Sequence, residues 1–199
     1  EDLAGSIRDS GRALGMRAED AFGSGFSWSP VLLDTFLNDP SGAFRYDLYT
    51  RVSANRRLAE GLYLGGSVRA SLYENVSGVT QASNSHLPHV RSDVAEYKSG
   101  QRVRMDRLVL NQYLKPGREV YARVSGGYYE EMYAGAGGQV LYWPEDRDWA
   151  VDVAVDALRQ RAPDSPFGFR DYSTITAIGS LHYRLPELGL TATARVGRF

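Results

Sequence analysis

Hydrophobic and polar residues alternate along most of the chain from Phe26 onward, with a period of two instead of the 3.6 of a helix. In FRYDLYTRVSA, residues 44–54, one alternate set is uncharged and the other carries Arg45, Asp47 and Arg51. LYLGGSVRASLY, residues 62–73, repeats the pattern with Arg69 on its polar side. This alternation predicts β-strands with one apolar face and one charged face.

Turn-forming residues divide the pattern into about nine or ten strands. The clearest predicted strands are 28–37, 44–58, 62–73, 103–114, 120–133, 135–143, 149–157, 173–184 and 188–196. Many are longer than the roughly 5 to 6 residues of an average soluble strand. They reach or exceed the roughly 9 to 11 residues that a tilted strand needs to cross a bilayer. The sequence therefore predicts an antiparallel, all-β meander of long strands.

The apolar faces of these strands are rich in small side chains. They include Gly66, Ala70, Ala122, Gly126, Ala134, Ala136, Ala177, Gly179, Ala192 and Ala194. Small residues leave gaps in a protein core, and such gaps cost stability. Facing lipid they cost little, because acyl chains fill the space. The composition of these faces favours contact with lipid, although soluble antiparallel sheets also alternate.

Aromatic residues and loop lengths point the same way. Tyr46, Tyr128, Tyr142, Trp149 and Tyr183 lie near predicted strand ends, where a membrane barrel carries aromatic girdles. The predicted turns DPSG, AEG, KPG, PEDRD and LPELG are short, whereas the loops at 75–89 and 161–172 are long. Short turns at one rim and long loops at the other are typical of membrane barrels.

Residues 1–25 differ from the rest of the chain. Leu3 to Met16 has the pattern of a short helix, but Gly5, Gly11 and Gly15 weaken it. We interpret residues 1–25 as a linker or the tail of a preceding domain, and residues 26–199 as a β-barrel segment. The predicted fold class is all-β: an antiparallel transmembrane β-barrel, complete or partial, with a short N-terminal linker or helix.

Composition removes several classes of function. The 199-residue chain has a net charge of −1, so no global basic field favours nucleic acid. It has no Cys, and its three His residues (His86, His89 and His182) are too scattered for a convincing zinc site. The sequence predicts neither a metal site nor a cofactor. No apolar run approaches the ~18 residues of a membrane helix.

Several words of the sequence resemble a known family. They are SHLPHVRSDVAEY (85–97), MDRLVLNQYLKPGREVYARVSGGYYEEMYAGAGGQVLYWP (105–144), RQRAPDSPFGFRDYSTITA (159–177) and GLTATARVGRF (189–199). Together they are similar to the YjbH/GfcD family of outer-membrane proteins linked to exopolysaccharide and capsule production. The resemblance implies a Gram-negative outer membrane, β-barrel segments and a part in polysaccharide secretion. It supplies no catalytic motif.

The predicted lumen face carries the candidate functional residues. The polar candidates are Arg45, Asp47, Arg51, Arg69, Arg123, Asp152, Asp156, His182, Arg184 and Arg195. Candidate sugar-stacking residues are Tyr63, Tyr73, Tyr121 and Tyr129. These side chains would form a polar channel that tolerates sugars. For any single residue, a place in a salt-bridge network that only holds a barrel closed is the favoured interpretation, because most lumen charges pair locally.

Enzymatic chemistry finds little support in the spacing of these residues. Asp152 and Asp156 lie four residues apart on one strand face, roughly 13 Å, which exceeds the roughly 5 to 9.5 Å of a glycosidase pair. Glu130 and Glu131 point to opposite faces and more simply mark a rim or a bulge. We therefore expect a noncatalytic outer-membrane component of exopolysaccharide or capsule secretion. The alternatives are a soluble β-sandwich or barrel that binds carbohydrate and, third, a polysaccharide-modifying enzyme.

The expected partners follow from this function. They are outer-membrane lipid, a secreted polysaccharide, and either other exopolysaccharide-export proteins or further barrel strands, without nucleic acid. Unpaired strand edges are not tolerated in lipid, so a partial barrel needs additional strands from elsewhere.

Overall fold

The structure is a computed structural model that describes residues 25–36, 44–78, 94–99 and 101–198. The predicted N-terminal linker or helix, the DPSG turn, most of the 75–89 loop, and His86 and His89 lie outside these residues. Within them, no helix has both the length and the apolar character needed to span a membrane.

Nine strands run through the described residues. They are β1 Gly25–Phe36, β2 Arg45–Ala59, β3 Leu62–Glu74, β4 Val103–Leu114, β5 Val120–Tyr128, β6 Tyr133–Tyr142, β7 Trp149–Arg161, β8 Phe169–Leu185 and β9 Leu190–Arg198. One short helix, α1, spans Val94–Ser99, and single 3-10 turns cover Val76–Gly78 and Pro186–Leu188. The all-β prediction is confirmed.

Two predicted boundaries differ most from the observed strands. β5 ends at Tyr128 instead of Tyr133, since the chain bends back through residues 129–132. Gly127, next to this end, has a positive φ of 136°. Glu130 and Glu131 lie in that bend, between two paired strands. β8 begins at Phe169, inside the predicted 161–172 loop, where Phe169 pairs with Arg161 of β7.

Sequential strands are neighbours, and the nine form one sheet in the order β1 to β9. The described strand pairs are antiparallel, as the short connections require. β1 and β9 stand at the two ends of this order, so closure into a barrel stays a prediction. The chain divides into two compact units, Glu1–Leu108 and Val109–Phe199.

In each unit, many apolar side chains are exposed and several charged side chains are buried. On the apolar face, the exposed fractions are 46% for Val68, 56% for Val124, and 58% for both Val153 and Ile175. On the opposite, polar face, they are 0% for Asp47, 3% for Arg69 and 5% for Asp152. This distribution inverts that of a water-soluble sheet, where the apolar face forms the core.

The apolar face of the second unit lies between two groups of aromatic rings. Toward the β6–β7 turn, Tyr142 and Trp149 pack edge to face at 5.9 Å, and Trp149 pairs with Tyr183 across β7 and β8. Toward the β5–β6 bend, Tyr128 stacks on Phe169 at 6.2 Å. Val151, Val153 and Val155 of β7 lie exposed between the two groups.

Candidate functional site

The polar face of β1 to β3 is built around the ring of Tyr49. Arg69 lies over this ring with its guanidinium carbon 3.7 Å from the ring centre. The same guanidinium donates a hydrogen bond of 2.8 Å to Asp34, and the hydroxyl of Tyr49 donates one of 3.2 Å to the other oxygen of that carboxylate. Adjacent strands thus contribute one cation, one aromatic ring and one carboxylate to a compact group.

A second buried group lies beside the first. Asp47 accepts a hydrogen bond of 2.9 Å from Arg104 of β4, which also donates one of 2.9 Å to the hydroxyl of Ser71. The ammonium of Lys98 in α1 lies 2.8 Å from Asp34 and 3.6 Å from Asp47, so it links the two groups. Buried charges are tolerated when they are paired in this way.

The two other predicted arginines of this unit take different partners. Arg51 forms an ion pair of 3.1 Å with Asp106, which also accepts a hydrogen bond from Ser67. Arg45 donates hydrogen bonds to the backbone carbonyls of Asn75 and Gly78 at 2.9 and 3.0 Å. Arg45 therefore holds the start of the β3–β4 connection against β2.

In the second unit, Asp152 and His182 meet across the β7–β8 pair. Nε2 of His182 lies 2.6 Å from one oxygen of Asp152, and Gln139 of β6 donates a hydrogen bond of 2.8 Å to the other. Nδ1 of His182 lies 3.0 Å from the hydroxyl of Thr193 on β9. Register explains the meeting, because Asp152 pairs with Ser180 and His182 pairs with Thr193.

The remaining polar candidates share this face but stand apart from that cluster. Arg123 pairs with Gln139 in register, and its Nε is buried without a hydrogen-bond partner among the described residues. Asp156 lies across Gly137 of β6, where a Cβ would meet its carboxylate. Arg184 and Arg195 are exposed on β8 and β9.

Three of the four candidate tyrosines lie on the polar face. Tyr63 alternates with Leu64 and shares the side of Arg69. Tyr121 is half-buried, with the ammonium of Lys115 5.2 Å from its ring centre. The hydroxyl of Tyr129, in the β5–β6 bend, lies 2.7 Å from that of Ser125.

Tyr73 is the exception. A bulge shifts the register so that Tyr49 pairs with Ser71 but Leu48 pairs with Tyr73. Directly paired residues share a face, so Tyr73 lies on the side of Leu48, and it is 72% exposed. Its expected position beside Arg69 was wrong, because an inserted residue exchanges the two faces of a strand.

Sequence reasoning missed Asp34, Lys98, Arg104 and Gln139, which complete the buried clusters. Asp34 and Arg104 occupy alternating polar positions within predicted strands, so their pattern was available. Lys98 belongs to a helix that was not predicted, although Asp93 followed by Glu96 three residues later is a helix-start pattern.

The polar face offers many hydrogen-bond donors and acceptors of both charges. Among the described residues, no three His, Cys, Asp or Glu side chains come together in a way that would hold a metal ion. Charged groups, hydroxyls and partly exposed aromatic rings are the groups that hydrogen-bond and stack with sugars. The arrangement can form many weak hydrogen bonds that exchange easily.

An exposed ion pair links two turns outside the strands. Arg118 lies 2.7 Å from Glu145, and both side chains are open to solvent. The hydrogen bond from Arg118 lowers the pKa of Glu145 below its ordinary value. The same contact raises the pKa of Arg118, so the pair stays charged at neutral pH.

Comparison with known proteins gives two matches. A family model described as "Exopolysaccharide biosynthesis protein YbjH" matches residues 8–199. The chain is also 33% identical over 157 residues to "Uncharacterized lipoprotein YjbH" of Escherichia coli (strain K12), a match that covers 76% of this chain and 22% of that protein. The chain thus spans about a fifth of the length of that relative. No solved structure matches the chain.

Proposed function

Because this chain belongs to the YjbH family of exopolysaccharide biosynthesis proteins, we propose that it forms part of a noncatalytic outer-membrane β-barrel through which a polysaccharide is secreted. Its apolar face meets lipid, and its polar face lines a watery interior. The role is passive: the interior guides a hydrated polymer across the membrane without changing it.

The observation that carries this proposal is the inverted distribution of side chains. Exposed valines and isoleucine alternate with buried Asp47, Arg69 and Asp152. Each large aliphatic side chain gains about 1.5–3 kcal/mol when it leaves water. A sheet in water would forfeit that gain on every strand, whereas a sheet in a bilayer obtains it from lipid. A soluble carbohydrate-binding sandwich is disfavoured for the same reason.

The height of the apolar band supports a bilayer as its surroundings. Ala134 of β6 pairs with Tyr128 of β5 and with Arg159 of β7, so these residues lie at the same height in the sheet. Arg159 therefore marks, on β7, the position of the aromatic group near the β5–β6 bend. From Trp149 to Arg159, β7 extends roughly 33 Å at about 3.3 Å per residue. A tilt of about 40° reduces this to roughly 25 Å, the height of the apolar band of known outer-membrane barrels.

The polar face is suited to weak contacts along the path of a polymer. Several of its charges are paired across strands, as in Asp152 with His182 and Arg69 with Asp34, and paired charges hold a passing polymer less strongly than a cluster of one sign would. Hydroxyl and amide groups of Ser180, Thr193 and Gln139 alternate with the charges and are suited to exchange hydrogen bonds with sugar hydroxyls.

The E. coli relative is named a lipoprotein, which supports an association with membranes. We propose the bacterial outer membrane as the location of this chain, because it combines this association with the barrel proposed above. The strands β1 and β9 have one unpaired edge each in the sheet order, and lipid does not tolerate unpaired edges. We propose that further strands or other exopolysaccharide-export proteins cover them.

Detergent dependence and secretion test this function together. The purified protein should stay monodisperse in detergent and aggregate when detergent is removed, and cells that lack it should lose exported polysaccharide. A chain that remains monomeric in plain buffer would contradict the membrane assignment and favour the soluble carbohydrate-binding alternative. Asp152→Asn and Asp156→Asn variants test for catalysis: loss of a polysaccharide-cleaving turnover with the fold intact would revive an enzyme.

A further inference from the structure

The helix α1, Val94–Ser99, lies on the charged face of the first unit. Tyr97 and Lys98 are nearly fully buried, although the helix belongs to a connection between two strands. Connections normally run over the surface of a protein because their backbone groups need water. A buried charged residue in such a segment indicates that the segment is held against the sheet.

Contacts from the helix and from the sheet hold α1 in place. Its Lys98 ammonium reaches Asp34 of β1 at 2.8 Å and Asp47 of β2 at 3.6 Å. In the opposite direction, Arg104 of β4 donates hydrogen bonds to the carbonyl oxygens of Tyr97 and Lys98 at 3.2 and 2.7 Å. These carbonyls belong to the last turn of the helix, where backbone acceptors lack helical partners.

The two aspartates that contact Lys98 also have cationic partners on the strands. Asp34 keeps Arg69 as a partner, and Asp47 keeps Arg104. Removal of the Lys98 ammonium therefore leaves neither aspartate without a cation. Lys98 fastens the helix to the sheet and is not needed to hold the strands together.

We infer that α1 is a constriction of the polar interior, fastened by Lys98, and that it limits the cross-section open to a secreted polymer. The inference rests on the proposed function, because the charged face of the sheet is an interior only in a barrel. A helix with its side chains is about 10–12 Å across, so α1 takes up interior space that a polymer would otherwise use. Size selection then depends on how firmly Lys98 and Arg104 hold this helix against the sheet.

The burial of Lys98 can be measured by comparing its reactivity with that of Lys115, the other lysine of the chain. Lys115 is exposed in the β4–β5 turn, whereas Lys98 is buried. Amine acylation of the folded, detergent-solubilised protein, followed by mass spectrometry, should modify Lys98 at least about tenfold more slowly than Lys115, because access to Lys98 requires a local opening. Equal reactivity of the two lysines would overturn the inference and leave the barrel proposal untouched.

Conductance measures the constriction itself. In planar bilayers, the full-length protein with Lys98→Ala should conduct more than the unmodified protein, and Lys98→Arg should restore the low conductance. Lys115→Ala is the matched control and should leave conductance unchanged. Channels of equal conductance in the Lys98→Ala variant and the unmodified protein would overturn the constriction. A protein that does not enter bilayers at all would contradict the proposed function and, with it, this inference.

Discussion

Asp152 tolerates a nearly buried position because two neighbouring strands supply its hydrogen bonds. Gln139 of β6 and His182 of β8 each reach one of its oxygens, and His182 extends the chain of contacts to Thr193 of β9. The cluster therefore ties four consecutive strands together through side chains as well as backbone. The same strand face carries Asp156, which has no such partner among the described residues.

Substitution of these two aspartates should separate their roles. Asp152→Ala leaves Gln139 and His182 without their acceptor and should lower the free energy of unfolding by about 1–3 kcal/mol. Asp156→Ala on the same strand should change it by less than about 0.5 kcal/mol. Urea unfolding of the protein in detergent micelles measures both changes. Equal losses would show that the hydrogen bonds between Asp152, Gln139 and His182 add nothing to the free energy of unfolding.

Gly137 has no room for a side chain. A Cβ there would meet the carboxylate of Asp156 and lie 2.7 Å from the carbonyl oxygen of Val155. The adjacent Gly138 would place its Cβ at an ordinary 3.5 Å from the nearest atom, the carbonyl oxygen of Arg123. Lack of space therefore requires glycine at position 137 on the polar face, but not at position 138 on the apolar face.

The two glycines provide a paired test. Gly137→Ala should destabilise the protein by about 1–3 kcal/mol, because the backbone of β7 has to shift. Gly138→Ala should be nearly neutral, within about 0.5 kcal/mol. The same micelle unfolding assay compares them, and a neutral Gly137→Ala would indicate that Asp156 does not lie across this position.

Strands were predictable from the sequence because polar and apolar residues alternate along the whole length of each strand. The bounds of β4 agree with the predicted 103–114, and the polar sides of β7 and β8 carry the residues expected there. A bulge leaves no such periodic mark, so the change of face at Tyr73 was not predictable. The meeting of Asp152, His182 and Thr193 was also out of reach, because it depends on the register of three strands.

A strand whose apolar face meets lipid should reject a charge there. Val153→Arg should destabilise the protein by about 2–4 kcal/mol if its position lies near the bilayer midplane. Leu188→Arg in the exposed β8–β9 turn is the control and should cost less than about 0.5 kcal/mol. Reversible unfolding from lipid vesicles measures both, and a neutral Val153→Arg would place that face of β7 in water.

The turns should respond to pH independently of the strands. Hydrogen bonding by Arg118 lowers the pKa of Glu145 in the folded protein, so the contact adds stability above the unfolded pKa and loses it as pH falls through the folded value. Arg118→Ala should raise the pKa of Glu145 toward its ordinary value. Carboxyl NMR titration measures the shift, and an unchanged pKa would mean that the ion pair does not persist in solution.

The nine described strands form a single sheet, in which exposed apolar and buried charged side chains invert the pattern of a soluble protein. The proposed membrane setting gives the small apolar residues, the aromatic rings near the strand ends and the buried ion pairs one physical cause. That cause is a nonpolar solvent on one side of the sheet and an enclosed polar space on the other. Membership of the YjbH family adds the polysaccharide as the cargo that such a space would carry.

The most direct measurement is a map of which residues touch lipid. The chain has no Cys, so single cysteines can be introduced at Val68, Val124, Val153 and Ile175, and at Thr176 and Ser180 on the other face, and then spin-labelled. In lipid vesicles, the first four labels should be relaxed strongly by oxygen and weakly by a water-soluble nickel complex, and the other two should show the reverse. If labels at the four aliphatic positions were instead open to nickel, or were shielded from both reagents, the sheet would not face a bilayer and the secretion role would lose its physical basis.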